Sequence, residues 1–314
     1  MGASFGGKSC NKHFIQMNRI LNVILIMFFC LTTTRVIYSQ ERRGIRFGDY
    51  FSFLTIGDWS YRKTNICDED YNYCGGWIYG KVVWDRLDMG GKNRHLPLGI
   101  YVSGTIVNSN QNKPWENNYV LGFGVEKYLF DGTKGIPSII RNLRLYAEYL
   151  KIGYTKEKAE EWVPDSDIRF GFDIYKDYGL GRGQTHKIFW HELWLNVCWQ
   201  KTNFYMEDYK SLTASCNYKI GFRLPKGIQV SLMPYLVNEV SWSARHDFFW
   251  QNRALLGIGL RLMPFQAAEF DLWNRFKIFT EYLRVVASFK DVPPFDTPEF
   301  DLRIGIVFSV GLWR

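Results

Sequence analysis

Ser243, His246 and Asp247 lie together in the stretch SWSARHD, and a serine, an imidazole and a carboxylate are the parts of a nucleophilic hydrolytic site. Crowded into one polar segment between apolar runs, they suit a rim loop with a surface histidine better than a built triad. His191 followed by Glu192 is the other close pair. In an extended strand, however, adjacent side chains point to opposite faces. No phosphate-cradling loop, zinc spacing, hydrolase elbow or dinucleotide fingerprint is present. The expectation is a non-enzyme without cofactor or metal.

A second set of residues recurs on alternate positions. Arg144, Arg169, Arg223, Arg253, Arg261 and Arg303 share their row with Glu126, Glu148, Asp173 and Glu192, and with Tyr146, Tyr175, Trp190 and Trp194. Guanidinium groups present forked donors to carboxylates and hydroxyls, and aromatic faces stack on sugar rings. Such a row suits the passage of a polar, even acidic, polymer. The alternative is a ladder of arginines and acids that satisfy one another and fill a barrel of modest bore.

The elements that carry this row are strands. The final segment sets Leu302, Ile304, Ile306, Phe308, Val310 and Leu312 against Arg303, Gly305, Val307, Ser309, Gly311 and Trp313. One greasy and one small or polar row over about ten residues is the repeat of a membrane-crossing strand in a closed barrel. Twelve such stretches are expected, at 53–63, 76–86, 97–107, 117–130, 143–154, 167–177, 187–201, 211–223, 227–238, 252–262, 276–289 and 301–313. Aromatic residues at 18% fit this all-β, transmembrane antiparallel reading. If both termini are periplasmic, the connections after even strands should be the short ones; Leu224-Pro225-Lys226-Gly227 fits, whereas 131–142 and 263–275 do not.

Residues 1–39 read as a cleaved signal peptide: Lys8, Lys12 and Arg19 precede the apolar run Ile20–Leu31, and Ser39 stands before the cut. The barrel domain is then 40–314, placed in the bacterial outer membrane with lipid as its solvent. The leader holds Lys8, Lys12, Arg19 and Arg35 and no acid, so the net charge of +8 falls to near +4. That excess is too diffuse for a nucleic-acid partner. Cys67 and Cys74 bracket a polar segment, and an exported chain favours a disulfide between them. Cys198 and Cys216 fall on opposite rows and cannot bridge.

The runs RNLRLYAEYLKIGY, DIRFGFDIYKDYG, VSLMPYLVNEVSWS, QNRALLGIGLRLMPF and FTEYLRV span roughly Gly124 to Phe289. Their order resembles the C-terminal outer-membrane barrel domain of the phage-adsorption protein NfrA, within a group of barrels associated with exopolysaccharide secretion. The resemblance implies a conduit or surface component in polysaccharide export, or a receptor-like plugged barrel, and no catalytic residue. Members usually carry helical repeats before the barrel; 40–53 has no room for them, so a periplasmic scaffold would be a separate partner.

Overall fold

The structure is a computed structural model that describes residues 51–65, 71–84, 98–111, 116–130, 135, 137–154, 166–180, 187–203, 209–224, 231–245, 252–264, 276–289 and 299–312. Twelve strands form one closed antiparallel barrel: β1 (Phe51–Thr64), β2 (Tyr71–Trp84), β3 (Leu98–Ser109), β4 (Asn118–Tyr128), β5 (Leu143–Tyr154), β6 (Ser166–Tyr178), β7 (Phe189–Thr202), β8 (Tyr209–Phe222), β9 (Ser231–Ser243), β10 (Arg253–Met263), β11 (Lys277–Ser288) and β12 (Phe300–Leu312). A four-residue helix, α1 (Ser138–Arg141), lies between β4 and β5. Each strand pairs with its sequence neighbours, and β12 closes on β1 from Phe53 with Leu312 to Thr64 with Asp301. Closure leaves no unpaired edge, as a hydrocarbon surround demands.

Alternation sorts the side chains by solvent. Leu121, Phe123, Val102, Phe170, Leu236, Ile258 and Ile304 are all at least half exposed on the outward rows. All the acids of the same strands turn inward, as do their arginines, while Lys127 and Lys176 lie on outward rows near the strand ends. An apolar outer band on a closed barrel is a lipid-facing surface. The expected outward row of β12 is observed at Leu302, Ile304, Ile306 and Phe308.

Two strands are displaced from their expected bounds. β2 begins at Tyr71, so Cys74 lies on a strand and not in a polar loop. β9 runs to Ser243 because it must match β10, where Arg253 faces Ser241. Connection length does not mark the sides as expected: the gaps after even strands (85–97, 129–142, 179–188, 223–230, 264–276) are no shorter than those after odd ones (65–70, 110–117, 155–165, 203–208, 244–252, 289–299).

At the barrel end away from the termini, asparagines finish the strands. Asn65, Asn110 and Asn203 each donate the backbone N–H to a neighbouring strand (Phe300, Cys74, Ser166) and accept that residue's N–H on Oδ1 at 2.7, 2.9 and 3.0 Å. The side chain thus supplies the acceptor that the departing backbone no longer offers.

Candidate functional site

The lumen of the first six strands holds a chain of ion pairs. Glu126 of β4 receives Lys81 at 2.5 Å and Arg144 at 2.6 Å, and Arg144 also pairs with Asp173. Beyond it, Tyr101 donates to Glu148 at 2.9 Å, and Arg169 lies 3.7 Å from Glu148 and 2.6 Å from Asp167. In the last six strands Glu281 receives Lys219 at 2.5 Å and the Tyr235 hydroxyl at 2.7 Å. Arg303 reaches Glu281 at 3.5 Å, Glu239 at 2.7 Å and Asp301 at 2.7 Å. Arg261 pairs with Glu192 at 2.8 Å while lying over the rings of Trp190 and Tyr235.

These two walls repeat one another. Asp167-Ile168-Arg169-Phe170-Gly171-Phe172 recurs as Asp301-Leu302-Arg303-Ile304-Gly305-Ile306, 134 positions on (167 to 301). Ala147-Glu148-Tyr149-Leu150-Lys151-Ile152 recurs as Thr280-Glu281-Tyr282-Leu283-Arg284-Val285, and Leu121-Gly122-Phe123-Gly124 as Leu256-Gly257-Ile258-Gly259. Lys63-Thr64-Asn65 recurs as Lys201-Thr202-Asn203. The pairings repeat too: Glu148 faces Arg169 as Glu281 faces Arg303, and Tyr101 faces Gly124 as Tyr235 faces Gly259. Each tyrosine fills the volume a Cβ on its glycine would need, 2.5 and 2.3 Å away. β1–β6 and β7–β12 are therefore two copies of one six-stranded pattern. Sequence reasoning that took strands one at a time missed this, although the doubled Asp-x-Arg-x-Gly run carried the signal.

On the inward rows of the first half lie Arg62, Lys81, Arg144 and Arg169 against Asp58, Glu126, Glu148, Asp167, Asp173 and Asp177. The second half sets Lys219, Arg253, Arg261, Lys277 and Arg303 against Glu192, Glu239, Glu281 and Asp301. Nine bases thus meet ten acids. The arginine row is a compensated ladder, and not a positive track.

One inward pair breaks the pattern. Among the strand residues with large exposed apolar side chains, only Tyr175 (46%) and Trp194 (41%) face inward; every other one lies on an outward row. They are partners across β6 and β7, at the junction of the two halves. Tyr175 donates its hydroxyl to Glu192 at 3.1 Å, which fixes one edge of its ring. At the opposite junction, the equivalent partners are Ser309 and Ile56. Two residues along β7 from Trp194, at Asn196, opens a cavity of about 270 Å³ lined by Asp167, Arg169, Asn196, Gln200, Ser215 and Trp242 among others. This is a membrane-spanning β-barrel, with an aromatic platform in a lumen whose described strands are charge-balanced.

The remaining expected site residues divide. Tyr146 faces inward and accepts from Asn196 at 2.8 Å. Arg253 sits on the inward row at the asparagine-capped end. Arg223 does not line the lumen: it is buried past the end of β8 and donates to the Gly179 carbonyl at 2.9 Å. Trp190 is 1% exposed and packs edge-on to Tyr235 at 5.3 Å, so it offers no open face. The cause is an apolar cluster on the second inner wall, where Met233, Val237, Leu255, Met263 and Leu283 close over it. Ser243 is buried at a strand end, its Oγ 2.9 Å from that of Ser211, and not on an open rim; His246 and Asp247 lie outside the described residues. Cys198 is buried on the inner face and Cys216 lies on the outer one, both unbridged. Cys74 is half-buried on the outward row of β2; Cys67, Trp313, Arg314 and the leader lie outside the described residues.

No protein-family model and no curated protein matches the sequence. Solved structures similar to it include an outer membrane channel from Pseudomonas putida (TM-score 0.36, 11% identity, 85% of this chain and 100% of that one). The NanC porin aligns at TM-score 0.36 and 8% identity over 82% of this chain and 100% of that one. The β domain of the Bordetella autotransporter BrkA aligns at 0.35 and 11%, over 83% and 99%. With scores of this size, the barrel reading rests on the closed sheet and its apolar outer band.

Proposed function

We propose that the barrel is a conduit for a polysaccharide across the outer membrane, a transport component of exopolysaccharide export and not an enzyme. The observation that carries this reading is the Tyr175–Trp194 pair, the one place where large aromatic faces stand open to the lumen among the described strands. Sugar rings present C–H faces that stack on such planes, while their hydroxyls exchange bonds with polar walls. The resemblance to exopolysaccharide-secretion barrels points the same way.

Substituting the inward arginines would confuse transport with stability, because Arg144, Arg169, Arg261 and Arg303 each hold buried or half-buried acids. The sharper test replaces Tyr175 and Trp194 with alanine. Polymer release from cells should fall while the amount of folded barrel stays constant; unchanged release would sink the conduit. A second reading, a receptor-like plugged barrel, draws on the packed inner wall at Met233, Val237 and Leu283, each at most 0% exposed. Absence of single-channel current in bilayers would favour it.

A further inference from the structure

We infer that the glycan taken by this lumen is neutral and not acidic, an inference that rests on the conduit reading above. Its first support is charge. Among the described strand residues nine inward bases stand against ten inward acids, so these walls offer a carboxylated polymer no net attraction. Three of the inward arginines are taken up by acids, Arg144 by Glu126 and Asp173, Arg169 by Asp167, Arg303 by Glu239 and Asp301, and Arg261, held by Glu192 through Nη2, keeps its Nε and Nη1 buried in the wall and out of a polymer's reach. An incoming carboxylate would have to displace a buried one, stranding it unpaired.

The cavity at Asn196 points the same way. Asp167, 1% exposed, holds Arg169 through Oδ2 and leaves Oδ1 buried without a hydrogen-bond partner. That atom takes a donor, from a water or a sugar hydroxyl, and its charge repels any carboxylate brought near it. Arg169, held by Asp167, and the apolar Ala214 and Trp242 share the lining with the amides and hydroxyls of Asn196, Gln200 and Ser215, which can bond a hydroxyl in either direction. Asn196 follows Trp194 on the same inward row, about 7 Å along the strand, so one residue of a linear glycan can stack while its neighbour bonds to the cavity.

The full barrel in planar bilayers tests this with two probes of equal length, neutral cello-oligomers and acidic oligogalacturonates, and with the reversal potential in a salt gradient. The inference expects weak ion selectivity, current interruptions by the neutral probe, and little response to the acidic one at low salt. Trp194→Ala or Tyr175→Ala should weaken the neutral interruptions about tenfold without changing the open current's selectivity. Acidic interruptions that are stronger and fade as salt rises would overturn the neutral class and leave the conduit standing. An open channel that neither probe interrupts, or no current at all, overturns both.

Discussion

Glu148 and Glu281 stand at equivalent places in the two halves, each opposite the arginine of an Asp-x-Arg run, yet they carry different burdens. Glu148 accepts the Tyr101 hydroxyl and stands 3.7 Å from an arginine that is closer to Asp167. Glu281 accepts Tyr235, Lys219 at 2.5 Å and Arg303 at 3.5 Å. One pattern has thus been loaded unevenly on its inner face. The difference teaches that the repeated residues set the barrel's frame, while the residues that differ between copies set what the lumen holds. Glu281→Gln should therefore cost about 3 kcal/mol, since it takes the carboxylate from the half-buried Lys219 and from Arg303 at once. Glu148→Gln should cost only about 1 kcal/mol, because the Tyr101 bond survives and Arg169 keeps Asp167. Denaturant unfolding of the refolded barrel in lipid measures both, and equal costs would break the contrast.

The outer faces of the halves, by comparison, are alike. Phe123 and Ile258 are equivalent positions on β4 and β10, 55% and 62% exposed to lipid. Lysine at either should cost about 2–4 kcal/mol, the same in both halves, if each sits near the bilayer midplane. A cost at one position alone would mean that the outward band is not shared. Gly124→Ala and Gly259→Ala form the next pair. The added methyl meets a tyrosine ring at 2.5 or 2.3 Å, and each ring is held by a glutamate. A loss of about 1–3 kcal/mol is expected at both, read in the same unfolding experiment.

Much of the frame was legible in the sequence, because a barrel in lipid imposes a two-residue period that no other pressure overrides. The outward row of β12, the strand number and the opposite faces of Cys198 and Cys216 all follow from that period. Strand ends were less legible: β2 starts five residues before its alternation becomes regular, since Asn72 and Cys74 are paired to β1 by Lys63 and Tyr61 and not by any pattern of their own. The arginines were legible as a row but not as a ladder, because pairing depends on which strands closure brings together. Arg261 of β10 finds Glu192 of β7, and Arg303 of β12 finds Glu239 of β9. Trp190 and Trp194 looked interchangeable in sequence, four residues apart on one row. Only the packing of Met233, Leu255 and Met263 around one of them separates a buried ring from an open platform.

The smallest change in stability should come from the residues with the largest role in transport. Tyr175 and Trp194 are the most open inward rings of the described strands, so alanine there removes only part of a ring's packing and the Tyr175 bond to Glu192, and should cost no more than about 1 kcal/mol. The opposite junction allows the reverse experiment. Ser309 and Ile56 occupy the equivalent partner positions, facing the same lumen from the seam between β12 and β1. Ser309→Tyr combined with Ile56→Trp would make the two junctions alike and place a second platform across the bore. Single-channel current should fall because the lumen narrows, and neutral oligosaccharides should dwell longer because a ring can be held on both faces. If dwell times stay as they were while the current falls, the aromatic pair only occupies space, and the difference between the junctions has no part in recognising a sugar.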